Sequence, residues 1–138
     1  MEFFRPTETP AINLPLFSTQ VEAGFPSVAD DHIEGTLDLQ RYLIPRPAAT
    51  FFVKAKGESM IGAGIFPGDL LIVDKSIQAK SGNIIIALYQ GEFTVKRLVI
   101  EQGQGYLKAE NPRFPTIAIT QVESFEIWGT VTHVIHNV

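Results

Sequence analysis

The sequence predicts a mainly β fold, a compact antiparallel sandwich or partly open barrel, preceded by an extended N-terminal arm. Three observations carry this. From residue 50 onward, short β-branched and aromatic runs alternate with Gly, Pro, Asn and Asp at close intervals. The first 35 residues instead hold Pro6, Pro10, Pro15 and Pro26 and no sustained helical or strand period. Finally, 138 residues, 45% of them hydrophobic, suit one core of ordinary size.

Each element follows from local chemistry. Residues 1–35 read as a flexible acidic arm, because repeated Pro blocks helices and removes ladder donors. Residues 38–44 predict a short helix capped by Asp38 and stopped by Pro45. Residues 50–55, 70–73, 84–89, 92–100, 105–109, 116–119 and 125–136 read as strands. Gln90-Gly91, between two of them, is a tight-turn signal, so residues 84–100 predict a hairpin.

Composition removes several classes of function. With no cysteine, disulfide frameworks, thiolate zinc sites and Cys nucleophiles are excluded together. The histidines, His32, His133 and His136, are too scattered to suggest a metal centre, and no cofactor is expected. The formal charge of −4 disfavours a surface that neutralises many phosphates, so little direct DNA binding is expected. That charge is uneven: residues 1–40 hold seven acids against Arg5, a net of −6, and the remainder holds eight acids and ten bases. The longest apolar run, residues 84–89, falls far short of the roughly 20 residues that cross a bilayer, and a cytoplasmic location is expected.

Two stretches could carry chemistry. Residues 56–64 place Ser59 among glycines just after an apolar strand, where a hydroxyl and neighbouring backbone N–H groups can both be presented. Residues 93–99 form a strand in which Lys96 has apolar neighbours on its own face, a setting that can desolvate it toward the neutral form a general base requires. Arg97 cannot serve, since a guanidinium stays protonated. Taken singly, the first stretch reads as a surface turn and the second as a lysine snorkelling from a strand. Together they gain weight: 37 residues of separation allow Ser59 and Lys96 to meet across a β fold, and no convincing His and Asp partners complete a Ser-His-Asp triad.

The blocks Pro15-Leu16-Phe17, Ala23-Gly24-Phe25-Pro26-Ser27, Gly57-Glu58-Ser59-Met60, residues 67–74 and residues 91–98 together closely resemble the UmuD-like SOS mutagenesis proteins. These are related to the self-cleaving LexA and phage repressors of the peptidase S24 family. The resemblance implies a LexA C-terminal-domain type fold over residues 36–138, with Ser59 as nucleophile and Lys96 as general base of an autoprotease. It also implies a cut at Ala23-Gly24 within the arm, and the N–H groups of Glu58 and Ser59 are candidates for an oxyanion hole. Small residues at the scissile bond let a carbonyl approach a crowded nucleophile, and Pro26 keeps the following chain extended.

Further implications are a homodimer, cleavage stimulated by a RecA filament on single-stranded DNA, and a UmuC-like Y-family polymerase as partner in error-prone translesion synthesis. Ala23 replaces the Cys of UmuD-like proteins but matches the Ala-Gly of LexA, and Glu58 stands where Asp is usual. The first ten residues match poorly. Two other readings remain open: a non-cleaving polymerase accessory subunit, and the C-terminal part of a LexA-like repressor. Against the second, a Pro-interrupted acidic arm supplies no helix-turn-helix.

Overall fold

The fold is given by a computed structural model that describes residues 1–7, 10–17, 33–119 and 124–138. The chain divides into a body, Met1–Thr7 with Arg46–Val138, and a smaller unit, Glu8–Pro45.

In chain order the elements are β1 (Phe3–Phe4), β2 (Asn13–Phe17), β3 (Ile33–Asp38), α1 (Leu39–Leu43), β4 (Thr50–Lys54) and β5 (Leu70–Asp74). Then come β6 (Ile84–Tyr89), β7 (Glu92–Glu101), β8 (Gln104–Lys108), β9 (Ile117–Ala118) and β10 (Phe125–Ile135). Two short 3₁₀ turns, Pro47–Ala49 and Ile61–Ala63, lie in the connections.

In the smaller unit β2 and β3 pair antiparallel, Asn13 opposite Asp38 and Leu14 opposite Leu37. Pro15 is tolerated because a two-stranded ribbon consists only of edge strands, where a missing N–H need not break a ladder. α1 follows directly. The Asp38 side chain accepts a hydrogen bond from the Arg41 N–H at 3.2 Å, an N-cap, and Pro45 stops the helix one residue past its C-cap, Ile44.

Among the described residues of the body, eight strands make one antiparallel sheet in the order β1-β4-β5-β10-β6-β7-β8-β9, not closed into a barrel. The fold is mainly β, of the LexA C-terminal-domain type. The predicted hairpin is β6–β7, with Tyr89 opposite Glu92 and Gln90-Gly91 at the turn, both at positive φ. β10 joins the two halves: its first half pairs with β6 and its second with β5, Thr130 facing both Ile85 and Asp74. A register shift in each ladder bends this strand. Gly129 sits at the bend because a Cβ there would lie 2.5 Å from Val73 Cγ1.

Alternation along β6 divides the core. Ile86 joins Val53, Met60, Ile65, Leu71, Val73 and Val95 on one face, whereas Ile85 and Ala87 join Leu98 and Leu107 on the other. Buried acids tie the loops to this framework. Asp74, 2% exposed, accepts from Arg46 Nε at 2.7 Å and from the Ser76 N–H and Oγ at 2.8 and 2.6 Å. Burial alone would raise its carboxyl, but the Ser76 hydrogen bonds and the Arg46 guanidinium hold it below the usual carboxylate value. Its stabilising contribution is therefore complete above the unfolded value of about 3.9 and is lost as pH falls through the lower folded value. Asp74→Asn is expected to flatten the acid limb of the urea-midpoint profile below about pH 4, relative to the parent chain.

Candidate active site

β4 runs into the loop that carries Ser59, and β7, the second strand of the hairpin, carries Lys96. The two side chains meet, with Lys96 Nζ 3.3 Å from Ser59 Oγ. Thr94, two residues before Lys96 and hence on the same face of β7, places its Oγ1 2.5 Å from the amine, and the Val95 carbonyl lies 3.2 Å away.

All three of these neighbours are neutral oxygens. Lys96 is 8% exposed, and burial holds its amine below the ordinary lysine value. A neutral amine has two N–H donors and one lone pair. Thr94 Oγ1 and the Val95 carbonyl can take the two donors, which leaves the lone pair for the Ser59 O–H. A small cleft of about 140 Å³ opens beside Ser59, bordered by Met1, Gly57, Met60, Ile65, Phe93 and Thr94.

The nucleophile loop is fixed by the segment after β8. The Glu110 N–H donates to the Ser59 carbonyl at 2.8 Å, and Asn111 Nδ2 donates to the Glu58 carbonyl at 2.9 Å. Asn111 is itself 8% exposed, and its Oδ1 accepts from the Arg113 N–H at 3.1 Å. In a trans peptide the N–H points opposite to the carbonyl before it. Anchoring the Glu58 carbonyl therefore turns the Ser59 N–H away from the Asn111 side.

Gly62 closes the clasp. Its N–H donates to the Glu110 carbonyl at 2.8 Å, so near that a Cβ would lie 2.6 Å from the same oxygen. Glu110 is held from the other side by Arg97 Nε at 2.6 Å, and Arg97 Nη1 donates to the Gly82 carbonyl at 2.6 Å.

The family model described as Peptidase S24-like matches residues 15–132. This chain belongs to the peptidase S24 family. It is 49% identical over 124 residues to Protein ImpA of Salmonella typhimurium, covering 89% of this chain and 83% of ImpA. Over 122 residues it is 40% identical to Protein MucA of Escherichia coli, covering 88% and 83%. The LexA repressor of Actinobacillus succinogenes is 40% identical over 126 residues, 90% of this chain but 59% of the repressor.

As a member of this family the chain falls in a peptidase class, and the structure brings Lys96 to Ser59, which lines the cleft, with Glu58 next to it in the same loop. Ala23, Gly24 and His32 lie outside the described residues. His136, with no acid near it in sequence, pairs with Asp69 Oδ1 at 2.5 Å across 67 residues, whereas the side-chain contact of Ser59 is with Lys96. Thr94 and Asn111 were not singled out from the sequence. A Thr two residues before a candidate lysine on a strand is the local signal that would have found the first; Asn111 depends on a contact between segments 53 residues apart. Among the described residues no cluster of His, Asp or Glu suited to a metal ion occurs, and no helix is long and apolar enough to cross a membrane.

Proposed function

We propose that the chain is a self-cleaving serine peptidase in which Ser59 attacks the Ala23 carbonyl and Lys96 is the general base. The observation that carries this is the buried lysine amine 3.3 Å from a serine hydroxyl, in a chain of a peptidase family. Neutral Lys96 takes the Ser59 proton as Oγ bonds to the Ala23 carbonyl carbon, and the N–H groups of Glu58 and Ser59 receive the developing oxyanion. The resulting ammonium returns the proton to the Gly24 nitrogen as the peptide bond breaks, leaving Ala23 esterified to Ser59. Water, activated by the same amine, then releases residues 1–23 and regenerates the serine.

The likeness to ImpA, MucA and LexA supports a role in SOS mutagenesis for the product, residues 24–138. In this reading the product is a homodimeric accessory subunit of an error-prone polymerase with a UmuC-like partner, and a RecA filament on single-stranded DNA stimulates the cut. The test is to incubate the full chain with RecA, single-stranded DNA and ATP and to weigh the products. A fragment beginning at Gly24 is expected; a chain that stays intact under those conditions and at alkaline pH overturns the reading.

Asn111 supplies a finer prediction. Asn111→Ala frees the peptide that carries the Ser59 N–H, so self-cleavage is expected to slow by about tenfold or more, less than the 10²–10³ for losing an oxyanion donor outright. The pH profile of the reaction should keep its midpoint, because Lys96 keeps its neighbours. Rates from electrophoresis across a pH series check both statements.

A further inference from the structure

We propose that the outer edge of β4, together with the rings of Phe51, Phe93 and Trp128, is a peptide-binding surface filled in the intact chain by its own residues 1–5. The occupant it fits is an extended segment with an aromatic residue followed two positions later by a basic one.

The geometry is that of strand addition to a sheet edge, in which main-chain pairing gives affinity and alternate side chains give selectivity. Phe3 pairs with Val53 and Phe4 with Phe52, and the Lys54 N–H donates to the Glu2 carbonyl at 3.1 Å. Phe3 points toward the body and rests against Trp128 and Phe93, with centroids 4.6 and 4.8 Å away. Phe4, on the opposite face, is 45% exposed. Continuing the register places Arg5 opposite Phe51, and its guanidinium lies 4.5 Å from that ring's centroid. Phe51 in turn packs edge-on against Trp128 at 4.9 Å.

Two further observations separate this from ordinary packing. Residues 1–7 belong to the body, yet residues 8–45 form a unit of their own, so the strand is a tethered ligand at the end of a long connection. It also precedes the family-matched segment, residues 15–132, so the match does not account for it. A tether raises its ligand's effective concentration, to about millimolar for a short flexible linker and less for a longer one. A weak ligand therefore stays seated while covalently attached, and at micromolar protein it leaves once the connection is cut. That last step rests on the proposed cleavage; the binding surface does not.

Trp128 is the single tryptophan and touches Phe3, so its emission reports the seat directly. In the uncut full chain, Phe3→Glu is expected to shift Trp128 emission to the red and to speed amide exchange at Lys54. A synthetic peptide of residues 1–7 added to that variant should reverse both changes and saturate at about millimolar peptide or below. The same peptide with Phe3→Ala should not. Emission and exchange unchanged by Phe3→Glu would overturn the proposal, as would a wild-type peptide that restores neither. Both readouts use uncut protein, so a failure here is distinct from a failure of self-cleavage.

Discussion

Replacing Lys96 by methionine is expected to reduce self-cleavage by at least about 10⁴-fold, and Ser59→Ala to abolish it. The two side chains act as one unit, so the double variant should be no slower than Ser59→Ala alone. Loss of activity on its own could mean loss of fold, and here the direction of stability separates the two. Burial lowers the Lys96 value, so between its folded and unfolded values the unfolded chain binds more protons than the folded one. Stability therefore rises with pH across that window, and at neutral pH the buried lysine is a liability. Methionine matches its length, fills the same space and needs no proton balance. Lys96→Met is accordingly expected to unfold at a urea midpoint equal to or above the parent's at pH 7, while being inert by mass spectrometry. An inert variant with a clearly lower midpoint would mean that Lys96 is structural.

The same residues show how far the sequence could be read. Strands β4 to β10 were legible because each is a run carrying β-branched or aromatic residues and bounded by turn residues, and α1 because Asp38 and Pro45 mark its ends. The pairing of Ser59 with Lys96 was suggested by elimination and spacing, and the structure sets them 3.3 Å apart. β1 escaped notice because two residues carry no period; it exists through rings contributed by β4, β7 and β10. β2 and β3 read as unpaired chain because their Pro and Gly content masks a ladder that only tertiary register reveals. Asn111 and the Asp69–His136 pair were hidden for a related reason. A side chain that serves a backbone carbonyl or an acid over 50 residues away leaves no local pattern.

The pH dependence of self-cleavage without a RecA filament gives the most direct view of the amine. The general base must be neutral, and below the folded Lys96 value its neutral fraction rises tenfold per pH unit. The logarithm of the rate should therefore climb with unit slope from pH 6, about 100-fold over the first two units while pH stays below that value. It should level off at a pH below 10.5, the ordinary lysine value, because burial lowers the amine. Thr94→Val separates the contributions. It removes an oxygen 2.5 Å from the amine that accepts a hydrogen bond from either protonation state, and it keeps the side-chain volume. Hydrogen bonding to the ammonium is stronger than to the amine, so removing this acceptor favours the neutral form further. The midpoint of the variant should move to lower pH. Its plateau should fall as well, since the lone pair loses one of the two contacts that aim it at Ser59. First-order rates from quenched time courses between pH 6 and 11 decide the matter. A rate independent of pH across that range would remove Lys96 as the base, because the neutral fraction of a titrating amine must change across it.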